Sequence, residues 1–61
     1  MMKFRTYYNS KSINLIRNIV KTEQLEVSIK TFVDALGDSI IEVSGKREEI
    51  KTLKEIYEMV A

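Results

Sequence analysis

The chain of 61 residues contains no cysteine, no histidine, no proline and no tryptophan, and it has only two glycines. Without cysteine or histidine, neither a disulfide bond nor a zinc site of the Cys/His type can stabilise the fold. A domain of this length buries only about 60% of the surface that its unfolded chain exposes. Association with a second copy or with another chain is therefore the expected source of further stability. With no proline and no low-complexity stretch to mark a linker, residues 1–61 are predicted to form one domain.

The same absences limit catalysis. Histidine is the commonest general base, and cysteine and serine nucleophiles depend on such a base. No Ser-x-x-Lys or Gly-x-Ser-x-Gly pattern occurs in the chain. Asp34 and Asp38 flank a glycine and could bring two carboxylates to a divalent cation, but the dense oxygen spacing of a calcium loop is missing, and a solvated turn is favoured. The residues therefore predict no enzyme, no cofactor and no metal site.

Long apolar runs are also lacking. The opening Met1-Met2-Lys3-Phe4-Arg5 has no apolar stretch behind its charges, unlike a secretory signal. No stretch approaches the roughly 18 apolar residues that a membrane span needs. The expectation is a cytoplasmic protein without membrane contact.

Charge is nearly balanced in total, at +1, but is unevenly distributed along the chain. All nine acidic residues lie from Glu23 onward, whereas half of the ten basic residues precede Thr22. Such asymmetry indicates either an anionic partner or electrostatic complementarity between subunits.

Periodicity predicts most of the secondary structure. Residues 3–8 alternate as a strand, and residues 11–22 carry a broad apolar stripe typical of a helix capped by Ser10 or Ser12. Residues 39–44 alternate again as a strand ended by Gly45. A final helix follows, with Glu48 and Glu49 in its first turn, where the helix dipole favours carboxylates. Its predicted buried stripe consists of Ile50, Leu53, Ile56, Tyr57 and Val60.

Residues 23–36 fit two interpretations. Their apolar positions form a helical stripe that ends at Gly37, a plausible C-cap. They also alternate as a strand, and the β-branched Val27, Ile29 and Val33 favour this second interpretation because such side chains lose rotamer freedom on a helix.

Register then constrains the turn at Gly37-Asp38. A one-residue slip moves every side chain of a strand to the opposite face. A two-residue loop would set Val33 across from Glu42, whereas a loop of three or five residues places Val33 on the same face as Ile41 and Val43. The sequence therefore predicts a loop of three or five residues. The resulting α+β fold has the order β-α-β-β-α, with a three-stranded antiparallel sheet and two helices packed on one face.

Two kinds of partner follow from this fold. The sheet face away from the helices would carry Tyr7, Phe32 and Ile40 among charges, and the edge strands need pairing or protection. This favours a non-catalytic subunit that forms a homodimer or joins a heteromeric protein complex. The alternative is a small RNA-binding protein in which basic and aromatic residues of the first strand and first helix meet phosphates and bases. Its candidate residues are Lys3, Arg5, Tyr7, Arg17 and Lys21.

One family resemblance covers nearly the whole chain. Lys3-Phe4-Arg5-Thr6-Tyr7-Tyr8 leads into Ser12-Ile13-Asn14-Leu15-Ile16, and a hairpin precedes Glu49-x-x-x-Leu53-Lys54 in the last helix. This order resembles the small dimerising subunit of the KEOPS complex, with Lys54 in place of the expected arginine. The resemblance implies a dimeric scaffold in tRNA threonylcarbamoylation, with Glu49, Leu53 and Lys54 at the positions of the family motif. The passage from Ile40 through Leu53 is also similar to the strand-to-helix segment of the SUI1-type translation initiation fold.

Overall fold

A computed structural model describes residues 1–60 and confirms the predicted β-α-β-β-α order. The sheet is antiparallel and three-stranded, with β3 between the two other strands. Within the ambiguous stretch of residues 23–36, Val27–Val33 form a strand, and the helical interpretation is wrong. The bounds of the elements are β1 Met2–Tyr7, α1 Ser10–Thr22, β2 Val27–Val33, β3 Ser39–Gly45 and α2 Arg47–Val60.

The core lies between the sheet and both helices. Ile41 and Val43 of β3 are fully buried, and side chains of α1 and α2 pack against them, which places both helices on one face as predicted. Burial of a side chain of this size contributes about 1.5–3 kcal/mol. The buried hydrophobic residues are Ile13, Ile16, Ile19, Ile41, Val43, Ile50 and Leu53.

Helix α1 ends at Thr22 as predicted, but it begins one residue earlier and its N-cap is a different residue. Its N-cap is Asn9, whose side-chain oxygen accepts the Ser12 N–H at 2.7 Å, so neither Ser10 nor Ser12 is the cap. At the other end Gln24 adopts a positive φ of 52°. The Leu25 N–H donates to the Val20 carbonyl at 3.0 Å, and the Gln24 N–H donates to the Lys21 carbonyl at 3.4 Å. This is a Schellman motif in which glutamine occupies the position that glycine usually takes.

Helix α2 buries Ile50 and Leu53 completely, but Val60, predicted to be part of the same stripe, is 63% exposed. Tyr57 joins α2 to the rest of the molecule. Its ring meets the Phe4 ring edge-on, with 5.4 Å between centroids, and its hydroxyl is 3.0 Å from the Ser12 hydroxyl. The end of α2 is therefore anchored by an aromatic contact rather than by the last apolar residue.

Five residues separate β2 from β3, and the paired Val33 and Ser39 close the loop, as one of the two predicted lengths requires. The Asp34 side chain organises this loop, because its Oδ1 accepts the N–H groups of Leu36 at 3.0 Å and Asp38 at 2.9 Å. Gly37 has a φ of +85°, a region that glycine enters without steric cost. The odd loop length places Ile29 opposite Val43 on the helix-facing side.

Candidate functional site

The sheet has one face without helices, which we call the open face. Side chains alternate along a strand, so the neighbours of the helix-facing Phe4 and Ile41 point to this opposite side. The open face is formed by nine side chains: Lys3, Arg5 and Tyr7 of β1, Ile40, Glu42 and Ser44 of β3, and Ser28, Lys30 and Phe32 of β2.

Register arranges the open face in rows that cross the three strands. Arg5 and Lys30 both oppose Glu42, which gives a charged row. Tyr7 and Phe32 both oppose Ile40, which gives an apolar row at the end nearer the hairpin loop. A carboxylate is therefore flanked by a cation on each neighbouring strand, next to a row without charge.

Glu42 is 7% exposed, an unusual position for a charged residue. Arg5 compensates for its burial, because Nε donates to Oε2 at 2.7 Å and a terminal guanidinium nitrogen lies 2.6 Å from the same oxygen. The Lys3 ammonium lies 3.8 Å from Oε1. The central position of β3 explains the burial, since long side chains on both neighbouring strands cover the carboxylate.

The pKa of Glu42 is lowered from its ordinary value of 4.5. The hydrogen bond from Arg5 is the largest cause, and the positive charges of Lys3, Arg5 and Lys30 act in the same direction, while desolvation opposes them. Glu42 is therefore ionised at neutral pH. The open face then carries three cations and one carboxylate, a net charge of +2.

The apolar row borders this positive charge. The Arg5 guanidinium carbon lies 5.5 Å and the Lys30 ammonium 5.6 Å from the centroid of the Phe32 ring, both within the range of cation–π attraction. Tyr7 is 67% exposed. A shallow hollow of about 300 Å³ lies over this row, lined by Arg5, Thr6, Tyr7, Phe32, Asp34 and Ile40.

The structure brings together some of the interface and nucleic-acid candidates that the sequence predicts. Tyr7, Phe32 and Ile40 share one row, and Lys3 and Arg5 lie on the same open face. Arg17 and Lys21 do not join them, because they lie on the exposed side of α1, whose other side packs on the opposite face of the sheet. The basic first strand and basic first helix are thus two separate surfaces.

The three motif residues of α2 also have different environments. Leu53 is fully buried in the core and is not available to a partner of the folded chain, which corrects its place among the interface candidates. The Glu49 carboxylate accepts the N–H of Glu26, so it fastens the segment before β2 to the first turn of α2. Lys54 is exposed.

Glu42 and Lys30 are open-face residues that the sequence candidates did not include. The available signal is a single acid in an otherwise uncharged strand, in a chain whose other two strands carry only basic charged residues. That signal needs the strand order to become specific, because only a central β3 places Arg5 and Lys30 on either side of Glu42.

Asp34 and Asp38, the alternative metal pair, act differently in the structure. The Asp34 carboxylate accepts two loop N–H groups, and the Asp38 carbonyl accepts the Asp34 N–H at 2.9 Å. Within residues 1–60 no group of three or more acidic side chains is placed to hold a metal ion. The same part of the chain has no helix with the length and apolar character of a membrane span.

Comparison with models of protein families, with curated proteins and with solved structures finds no match to this chain.

Proposed function

We propose that the protein is a non-catalytic cytoplasmic subunit that forms a homodimer by pairing the β2 edges of two copies. The observation that carries this proposal is the uncovered state of β2. Thr31 and Val33 point to the helix side of the sheet, yet Thr31 is exposed and Val33 is 66% exposed. The helices leave this end of the edge strand open, so that its backbone and its apolar side chain are both accessible to a second copy.

The free backbone groups of β2 can be assigned from the ladder. The Asp34 N–H donates to the Asp38 carbonyl, and backbone groups of an antiparallel pair alternate between the partner and the opposite side. Ser28, Lys30 and Phe32 therefore bond to β3. The N–H and C=O groups of Ile29, Thr31 and Val33 point away from the sheet, towards a prospective neighbour.

The β1 edge is less suited to self-pairing. By the same alternation, since the Tyr8 N–H donates to the Ser39 carbonyl, the outward backbone groups of β1 belong to Lys3, Arg5 and Tyr7. A two-fold axis at Arg5 would set this cation against its own copy, and like charges directly opposite each other are destabilising. Cations on edge strands are a common protection against pairing.

On β2 one register fits best. A two-fold axis at Thr31 pairs Ile29 with the partner's Val33 and Lys30 with the partner's Phe32. The first is an apolar pair, and the second repeats the cation–π contact that Lys30 makes with Phe32 within one chain. An axis at Lys30 would oppose two ammonium groups. The Thr31 axis also uses the outward N–H and C=O groups of all three residues.

The absence of histidine and cysteine supports a non-catalytic role, and the small size of the domain supports association. Pairing of two β2 edges gives a continuous six-stranded sheet in which the exposed Val33 is covered. An isologous contact of this kind is the commonest route to a homodimer.

Light scattering coupled to size exclusion tests the proposal at tens of micromolar chain. We expect a mass of twice 7.1 kDa for the unaltered protein. Thr31→Pro removes an outward N–H without removing a bond to β3, so we expect a folded monomer. Lys3→Pro removes an outward N–H from β1 and is the matched control, which should remain a dimer. A monomeric unaltered protein, or a dimeric Thr31→Pro variant, would contradict the proposed interface.

We further propose that this dimer belongs to a tRNA-processing assembly of the KEOPS type, on the basis of the family resemblance. Of the three motif residues, Lys54 is the exposed one and Leu53 the fully buried one. Calorimetric titration with the catalytic subunit of that complex should show binding that Lys54→Glu weakens and Lys51→Glu, a change at another exposed lysine of α2, does not. Absence of binding, or equal weakening by both, would remove this assignment.

A further inference from the structure

We propose that the open face binds a single-stranded nucleic acid, with unpaired bases stacked on the Tyr7 and Phe32 row and phosphates held by Lys3, Arg5 and Lys30. This inference goes beyond the dimer and applies to each protomer separately. Pairing at the β2 edge leaves the open face uncovered, so both activities are compatible in one molecule.

Charge complementarity is the first argument. The open face carries a net charge of +2, whereas the whole chain carries +1. The open face is therefore a positive patch in a chain of nearly balanced charge, and the basic residues on the exposed side of α1 form a separate one. A polyanion is attracted to such a patch because each neutralised phosphate releases condensed counterions.

The aromatic row is the second argument. Tyr7 is 67% exposed. Phe32 lies on the other edge strand, with Ile40 of β3 between them, so the two strands are about 10 Å apart. The hollow of about 300 Å³ lies between them. Bases stack on aromatic side chains with little dependence on sequence, and cations beside the rings reach the phosphates on either side. A stacking row bordered by positive charge is the arrangement that unpaired nucleotides require.

Other occupants fit this surface less well. A second copy laid face to face would bring a charge of +2 against another +2. A duplex presents phosphates but keeps its bases stacked on each other, so the aromatic row would gain nothing. An acidic peptide would satisfy the cations, while a base offers the flat ring that the exposed Tyr7 can stack on.

Glu42 gives the proposal a distinctive consequence. Its carboxylate accepts two close contacts from the Arg5 guanidinium, so it competes with any phosphate for that cation. Glu42→Gln removes the competing charge and raises the net charge of the open face by one. We therefore expect tighter binding from a substitution that removes the ion pair with Arg5.

Fluorescence anisotropy with labelled single-stranded oligouridine and oligothymidine, at 50 mM salt, measures the interaction. We expect both probes to bind, and Tyr7→Ala to weaken binding about tenfold or more because one stacked base is lost. The logarithm of the association constant should fall with the logarithm of salt concentration with a slope of about −2, as three phosphate contacts predict. Glu42→Gln should bind several-fold tighter and with a steeper slope.

A matched pair of variants separates a defined surface from general attraction. Lys30→Glu and Lys21→Glu make the same change in charge, one on the open face and one on the exposed side of α1. Lys30→Glu should weaken binding at least tenfold, whereas Lys21→Glu should change it less than twofold. Equal effects of the two variants would overturn the proposal, as would unchanged binding by Tyr7→Ala.

Three further outcomes would also overturn it: no binding of either probe, equally tight binding of a duplex of the same length, or complete competition by polyglutamate at equal charge concentration. Failure here is distinguishable from failure of the dimer. The monomeric Thr31→Pro variant should still bind the probes, because each protomer retains its own Tyr7 and Phe32 row and its three open-face cations.

Discussion

The Arg5 guanidinium and the Glu42 carboxylate form a hydrogen-bonded ion pair across the β1–β3 ladder, with Nε 2.7 Å from Oε2. Glu42 is nearly buried, while Arg5 keeps most of its side chain in solvent. The pair therefore depends on the acid remaining ionised, because a protonated carboxyl would leave the guanidinium without its anionic partner.

This relationship gives a pH dependence of stability. The folded state lowers the pKa of Glu42 below 4.5, so the unfolded state binds more protons in the acidic range. The stabilisation is present above about pH 4.5 and is lost as the pH falls through the folded pKa. Urea unfolding at pH 7 and pH 3 should show that the free energy of unfolding falls less between these pH values for Glu42→Gln than for the unaltered protein. Glu58→Gln, at an exposed position of α2, is the control, and its free energy of unfolding should fall as much as that of the unaltered protein.

Replacement of Gln24 by glycine should stabilise the fold. Its φ of 52° lies in the left-handed region, which costs a residue other than glycine about 1–2 kcal/mol. Gln24→Gly removes that cost but increases the freedom of the unfolded chain, so we expect a net gain of about 0.5–1 kcal/mol in the free energy of unfolding. Gln24→Ala keeps the steric conflict and should give no gain. A less stable glycine variant in urea unfolding would show that the motif is not strained.

Substitution of Asp34 in the hairpin loop should destabilise the fold. Asp34→Ala removes the acceptor for the N–H groups of Leu36 and Asp38, and we expect a loss of about 1–2 kcal/mol. Asp34→Asn retains an acceptor oxygen and should lose less. Asp38→Ala is the matched control, since Asp38 bonds to Asp34 through its backbone N–H and carbonyl, which the substitution retains. Equal thermal stability of both alanine variants would refute this role.

Removal of the Tyr57 hydroxyl should lower the free energy of unfolding by a smaller amount. Tyr57→Phe removes the hydrogen bond to the Ser12 hydroxyl but keeps the edge-on contact with Phe4. We expect a loss of about 1 kcal/mol in the free energy of unfolding. Ser12→Ala should cause a similar loss, and the double variant should lose less than the two single variants together. Strict additivity would mean that the two hydroxyls do not stabilise each other.

Local pattern and register account for most of the fold that the sequence predicted. The β-branched Val27, Ile29 and Val33 favour a strand for steric reasons that act within each residue. The odd loop length follows because both strands must present their apolar residues to the same core. Both arguments use interactions between near neighbours in the chain, and both predictions are confirmed.

Other features depend on information that local pattern does not carry. No glycine marks the left-handed residue after α1, where Gln24 is held by the hydrogen bonds of the Schellman motif. Val60 continues the apolar spacing of α2, yet it is 63% exposed. The environment of Glu42 depends on strand order, since residues 37 positions apart in sequence supply the ion pair.

The central position of β3 also determines when the sheet can form during synthesis. Both edge strands precede β3 in the chain, and neither pairs with the other. Until residues 39–45 have left the ribosome, β1 has no strand to pair with, and the first half of the domain cannot close its core. The β2–β3 hairpin is the local contact, and β1 must join it across the intervening α1 and β2, so we expect the hairpin to form first. We therefore expect the sheet to form only once residues 39–45 are available.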